Sequence, residues 1–268
     1  VWVGVYEEAI AVMLNGETGD IVTTINLSNG SGTVHPYGVA VDAWGFAWFT
    51  GISDGLLAQV DTIGTSLVAM HDKTAATGCA GAYGIAIDVK GRIWLGSFDC
   101  NGVARFDPSD NSWVTADFAG AGRGSTTRGI APDTSGTVWV DHTAGWVTRI
   151  DAETLQEIEA HQLPHHLGSP EAVTDTIGVG IDRNGACWAV SINQGYTNGT
   201  ASRIQPGGTI DSFPVGLMPY TYSDFTGYGL LTVVRPSGWY NMFVAGCEDQ
   251  DPAPPDVKTD WLRLTWNE

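Results

Sequence analysis

Residues 36–51 read PYGVAVDAWGFAWFTG, and the same cassette returns as AYGIAIDVKGRIWLGS at 82–97, TRGIAPDTSGTVWVDH at 127–142 and TIGVGIDRNGACWAVS at 176–191. A weaker copy, TYSDFTGYGLL at 221–231, keeps Asp224 and Gly227 but puts Leu230 where the others carry tryptophan. The aspartates of the Asp-x-x-Gly marker fall at 42, 88, 133, 182 and 224, in steps of 46, 45, 49 and 42 residues. A second marker follows the first four tryptophans at 12 or 13 residues, ending at Asn15, Asp61, Asp107 and Asp151, and follows Trp188 at 17, ending at Gln205. Trp2 fits the first copy of this grammar with nothing before it, so the repeat is out of phase at Val1.

Each part of the cassette has a physical reading. Gly-[Val/Ile]-Ala-[Val/Ile] is a short strand apolar on both faces. Asp-x-x-Gly is a tight turn whose glycine takes positive φ and whose aspartate bonds its own turn backbone. The tryptophan strand follows, with the indole between neighbouring sheets, and then Arg-[Ile/Phe]-Asp as a third strand. Outer strands are expected at 21–27, 66–72, 112–118 and 208–215. Four strands per period of about 46 residues predict an all-β chain folded as a β-propeller of four-stranded antiparallel blades. A linear solenoid is disfavoured because the strands are two-sidedly apolar and capping sequences are missing. Glycine (35 residues), tryptophan (11) and a charged fraction of 16% fit many short strands, and helix is not expected.

Six blades are favoured, with a sixth built from GLLTVV, WYNMFVA and DWLRLTW. Five blades, with YTYSD at 220–224 completing the first sheet as a clasp, or part of a seven-bladed parent are the alternatives. Residues 1–246 are assigned to the propeller and 247–268 to an acidic proline-rich loop with a final strand.

The balance of 12 basic and 30 acidic residues, net −18, repels a phosphate backbone, so nucleic acid is excluded as a partner. No 18-residue apolar run is present, so no membrane span is expected. The cassettes at 35–51 and 82–97 resemble the streptogramin lyase and NHL-like group of propellers, and LNGETGDIV at 14–22 with PYTYSDFTGYG at 219–229 is similar to uncharacterised secreted bacterial propeller-repeat proteins. The lyase resemblance implies a catalytic histidine and acidic metal ligands on the central face, often as a glutamate just after the tryptophan strand. The corresponding positions here carry Gly51, Gly96, Asp141 and Ser191.

Candidate chemistry is therefore sparse. His35, before the inner strand, and His142 are the histidines to test for catalysis. Asp141 with His142, or His165 and His166 with Glu171 in the loop that begins near His161, form the candidate metal ligands, with calcium or magnesium as the ion. Neither a nucleophile elbow nor a phosphate-cradling loop occurs in the sequence. Cys79 with Cys100 and Cys187 with Cys247 are paired on proximity, which places the chain in an oxidising compartment: secreted, periplasmic or at the cell surface. The function expected is non-catalytic binding or scaffolding of a glycan, peptide or protein through aromatic loops bearing Trp44, Tyr196, Tyr220 and Tyr222. The alternative is a divalent-metal-dependent lyase or lactone-type hydrolase.

Overall fold

The computed structural model describes residues 1–164, 173–193, 198–222 and 225. The chain opens with a three-stranded sheet of β1 (Trp2–Val5), β2 (Ile10–Leu14) and β3 (Ile21–Asn26), followed by a two-stranded ribbon of β4 (Ser28–Asn29) and β5 (Gly32–Thr33). Four four-stranded antiparallel meanders come next. They are β6 (Gly38–Val41), β7 (Phe46–Thr50), β8 (Leu56–Asp61) and β9 (Ser66–Asp72); β10 (Ile85–Ile87), β11 (Ile93–Gly96), β12 (Gly102–Asp107) and β13 (Ser112–Asp117); β14 (Thr127–Pro132), β15 (Thr137–His142), β16 (Trp146–Asp151) and β17 (Glu157–Gln162); and β18 (Thr176–Ile181), β19 (Cys187–Ser191), β20 (Gly199–Ile204) and β21 (Ile210–Val215). The first strands of successive sheets contact one another in order, from β1 to β6, β10, β14 and β18. This is the all-β, blade-by-blade architecture that the repeat predicts.

The cassette explains why each blade forms. Oδ1 of Asp42 accepts hydrogen bonds from the Trp44 and Phe46 amides at 2.8 and 2.9 Å, as the turn reading requires. Its Oδ2 accepts from Trp48 Nε1 at 2.8 Å, and the same indole bond recurs from Trp94 to Asp88 at 2.9 Å and from Trp188 to Asp182 at 3.0 Å. One carboxylate thus fixes both the turn and the indole six residues on. The turn glycines follow suit: Gly91 has φ +81°, and the Trp44 ring lies where its Cβ would stand. Opposite each later tryptophan on the third strand stands an arginine, and the guanidinium stacks on the ring: Arg105 on Trp94 at 5.7 Å, Arg149 on Trp139 at 5.5 Å, Arg203 on Trp188 at 5.8 Å.

The core lies between blades. Trp48 packs with Ile85, Leu95 and Phe106 of the next sheet, Trp94 with Ile130, Val138 and Val140, and Trp139 with Val179 and Ala189. Burying rings of this size between sheets, 150–250 Å² each by general experience, is the main hydrophobic gain of the fold. Near the axis the inner strands approach so closely that a Cβ on Gly129 would lie 2.7 Å from Cα of Gly178.

Several expectations change. Outer strand β17 was not foreseen, and a five-residue helix, α1 (Lys73–Thr77), closes the second sheet, capped by Asp72 and by Gly78 at φ +74°. The first sheet lacks an inner strand among the described residues, and residues 220–222 are not in a strand. Instead, the Thr221 hydroxyl and the Tyr222 backbone pack on Gly178, and the Tyr222 ring reaches Gly38 and the cluster around Ile85. Residues 223 and 224 of the alternative clasp lie outside the described residues. Cys79 and Cys100 are disulfide-bonded, with Cα atoms 6.3 Å apart. Cys187 is a buried free thiol, so it lacks the expected bridge to Cys247, which lies outside the described residues. The sixth blade and the segment after residue 246 also lie outside them. Among the described residues no helix is long and apolar enough to cross a membrane.

Candidate binding site at the central face

The residue preceding the repeat glycine is Tyr37, Tyr83, Arg128 and Ile177 in the four complete cassettes. Because these positions are equivalent, they start the inner strands at the same end of neighbouring blades. Tyr220 and Tyr222 join them there. The hydroxyls of Tyr37 and Tyr83 both hydrogen-bond that of Tyr220, and the Tyr222 hydroxyl donates to the Tyr83 carbonyl. Ring centroids lie 5.2 Å apart for Tyr37 and Tyr83, 5.6 Å for Tyr37 and Tyr222, and 5.5 Å for Tyr83 and Tyr222. Phe98 stacks on the far side of Tyr83 at 6.0 Å. Tyr83 is buried, whereas Tyr220 is 61% exposed, so the cluster has a rigid floor and an accessible rim.

Burial shifts its phenols away from ionisation. Burial, then the bond to Tyr220, pushes the Tyr37 phenol up to about 12. Tyr83 and Tyr222 are shifted in the same direction, again chiefly by burial. These groups remain neutral hydroxyls that donate and accept hydrogen bonds.

The expected catalytic and metal residues do not converge. Asp141 and His142 are adjacent in β15, so their side chains leave opposite faces of the sheet and cannot hold one ion. Asp141 points to the inner-strand crossing, where Oδ1 accepts from the Arg128 and Gly129 amides at 3.0 and 2.8 Å while Oδ2 has no partner. Burial raises it to about 8, against the lowering effect of those two amides and of Arg128. His142 is fully enclosed, with Nδ1 3.0 Å from Asn101 Oδ1, Nε2 2.8 Å from Thr148 Oγ1, and its ring against Phe118. Burial, then the charge of Arg123, lowers it to about 3, so it is a neutral structural imidazole. His35 pairs with Asp54, Nδ1 to Oδ1 at 3.1 Å, and packs on Tyr6.

His161 bonds Glu159 at 3.1 Å and stacks on Trp139, while His165, His166 and Glu171 lie outside the described residues. The one cluster of metal-ligand types among the described residues is Cys79, Asp99 and Cys100, and its two sulfurs are spent in the disulfide. No described set of histidines and carboxylates fits calcium or magnesium.

Trp44 sits elsewhere. It follows β6 where Tyr37 precedes it, so the two mark opposite ends of one strand. Half-exposed, it walls a cavity of about 340 Å³ between the second and third sheets with Phe46, Gln59, Lys90 and Asp107. The expectation that Trp44, Tyr220 and Tyr222 serve one surface therefore separates into two, and Tyr196 lies outside the described residues.

No family model matches the sequence, and no curated protein does. Solved structures match in fold. Virginiamycin B lyase from Staphylococcus aureus superimposes with a TM-score of 0.64 at 18% identity, over 83% of this chain and 69% of that one. The fold is that of the streptogramin lyases. A catalytically inactive variant of the same enzyme with Quinupristin gives 0.63 at 18% identity, over 81% and 67%. Hydrazine synthase from Kuenenia stuttgartiensis gives 0.62 at 12% identity, over 80% and 62%. At these identities the likeness to streptogramin lyase is one of architecture.

Sequence reasoning missed Tyr37, Tyr83 and Arg128. The signal was present in the aligned cassettes, where the position before an otherwise constant glycine varies among large side chains.

Proposed function

We propose that this chain is a non-catalytic recognition module that binds a hydroxyl-rich ligand, a glycan by preference, on its tyrosine-bearing central face. The observation that carries the reading is the meeting of four tyrosines from three distant parts of the sequence, with hydroxyls joined by hydrogen bonds and one ring open to solvent. Phenol rings offer flat apolar area at low entropic cost, and their hydroxyls exchange hydrogen bonds with sugar hydroxyls. The Cys79–Cys100 bridge supports an oxidising setting: secreted, periplasmic or at the cell surface. The lyase or lactone-type hydrolase reading rests on likeness of fold, and fold does not imply function.

Titration with neutral and acidic oligosaccharides, followed by calorimetry, tests this. Tyr220→Ala is expected to weaken the best ligand by about tenfold or more, the scale of losing one aromatic contact. Trp44→Ala, at the other end of the blade, should leave affinity unchanged. Loss of binding in Trp44→Ala alone, or a ring-opened product from a cyclic depsipeptide, would overturn the reading.

A further inference from the structure

Arg128 is the one inner-face cation in the repeat position otherwise held by Tyr37, Tyr83 and Ile177. Its guanidinium carbon lies 5.6 Å from the Tyr83 ring centre and 5.8 Å from that of Phe98. Stacking on two aromatic rings fixes the plane of the fork. The Nε is buried with no hydrogen-bond partner, and among the described residues no carboxylate lies within ion-pair distance of Arg128. Arg105 also lacks an ion pair and a partner for its Nε, but its guanidinium donates to the Ala152 and Glu153 carbonyls. Arg92, Arg123, Arg149 and Arg203 each hold an acidic side chain within 3.5 Å.

The nearby acid does not fill the role. Asp141 spends Oδ1 on the Arg128 and Gly129 amides, and burial keeps it protonated at neutral pH. The guanidinium lies over the Tyr83 ring, and its positive charge is felt by the Tyr37 phenol as well as by Asp141, so Arg128 borders the tyrosine cluster. A stacked guanidinium with an unsatisfied buried N–H, beside a row of hydroxyls, is complementary to a planar anion carried on a hydroxylated body.

We propose that Arg128 anchors the carboxylate of a uronic-acid-type saccharide, whose hydroxyls meet the tyrosine row. The inference rests on the glycan-binding reading above and names its substrate class. A carboxylate is the better match than a bulkier tetrahedral anion because one guanidinium edge presents two parallel donors to two coplanar oxygens. A peptide C-terminus would satisfy the guanidinium but would leave the hydroxyl row without partners.

Calorimetry with trigalacturonate, its methyl ester, neutral galactotriose and an acetylated tripeptide with a free C-terminus distinguishes these cases. Wild-type protein is expected to prefer trigalacturonate over the methyl ester by about tenfold or more. Arg128→Gln should abolish that preference while neutral saccharide binding remains sensitive to Tyr220→Ala. Arg128→Lys, which keeps the charge and loses the fork, should retain only a small part of it. Equal binding of acid and ester, or a preference that survives Arg128→Gln, overturns this inference and leaves the glycan reading standing. Binding of the tripeptide alone overturns both. The acid-to-ester comparison is made on the unaltered protein, so it holds even if a variant fails to fold.

Discussion

Replacing Asp88 with alanine is expected to destabilise the protein by about 3–5 kcal/mol, whereas the same change at the equivalent Asp182 should cost about 1–2 kcal/mol. The two residues occupy one repeat position and differ in surroundings. Asp88 is 3% exposed, and its Oδ1 accepts from the Lys90 and Arg92 amides at 2.9 and 3.0 Å. Its Oδ2 accepts from Arg92 Nε at 2.7 Å and from Trp94 Nε1 at 2.9 Å. Arg92 is equally enclosed, and its other end reaches Glu153 of the next blade at 2.9 Å. Alanine would strand a buried guanidinium edge and a buried indole N–H together. At Asp182 the carboxylate side chain is 22% exposed and Arg203 is 3.5 Å away, so solvent can take over its bonds. Urea unfolding of both variants decides the matter. Equal losses would show that the motif acts through its turn alone.

That contrast marks how far the repeat can be read. The Asp-x-x-Gly marker revealed the turn, because an aspartate bonding amides two and four residues on is local chemistry. The bond to the tryptophan six residues on is local too, yet it crosses from one strand to the next and needed the β6–β7 register to be seen. The disulfide was legible because Cys79 and Cys100 flank one blade. Cys187 was misjudged: in a strand read as CWAVS it alternates with Trp188, and its thiol lies in the core between the last two sheets.

The same period of two refutes a shared site for Asp141 and His142, and it could have been applied from sequence. The tyrosine cluster could not have been read in this way. Tyr83 and Tyr220 are 137 residues apart, and only the arrangement of inner strands brings them together. The aligned cassettes did hold the identity of the first three members of that face, Tyr37, Tyr83 and Arg128. What they lacked was the direction from which Tyr220 and Tyr222 arrive.

Asp141 gives the second large effect, visible as a pH dependence. Its folded pKa stands at about 8 against the 3.8 usual for an aspartate, because burial penalises the carboxylate. Between those values the native state holds a proton that the unfolded chain has released. Stability therefore falls as pH rises across this window, and the contribution present below the unfolded pKa is gone above the folded one. Asp141→Asn keeps an oxygen to accept from the Arg128 and Gly129 amides and removes the titration.

Measured by urea unfolding, the variant should gain on wild type by on the order of 3–5 kcal/mol between pH 4 and pH 8. His142, lowered to about 3, acts in the opposite sense below its ordinary range, but it is present in both proteins and cancels in the difference. A difference that stays flat with pH would mean that Asp141 is ionised in the folded protein. Arg128 would then already have its counter-charge, and the central face would lose its reason to select an acid. The stability curve thus tests, without any ligand, the electrostatic premise on which acidic recognition depends.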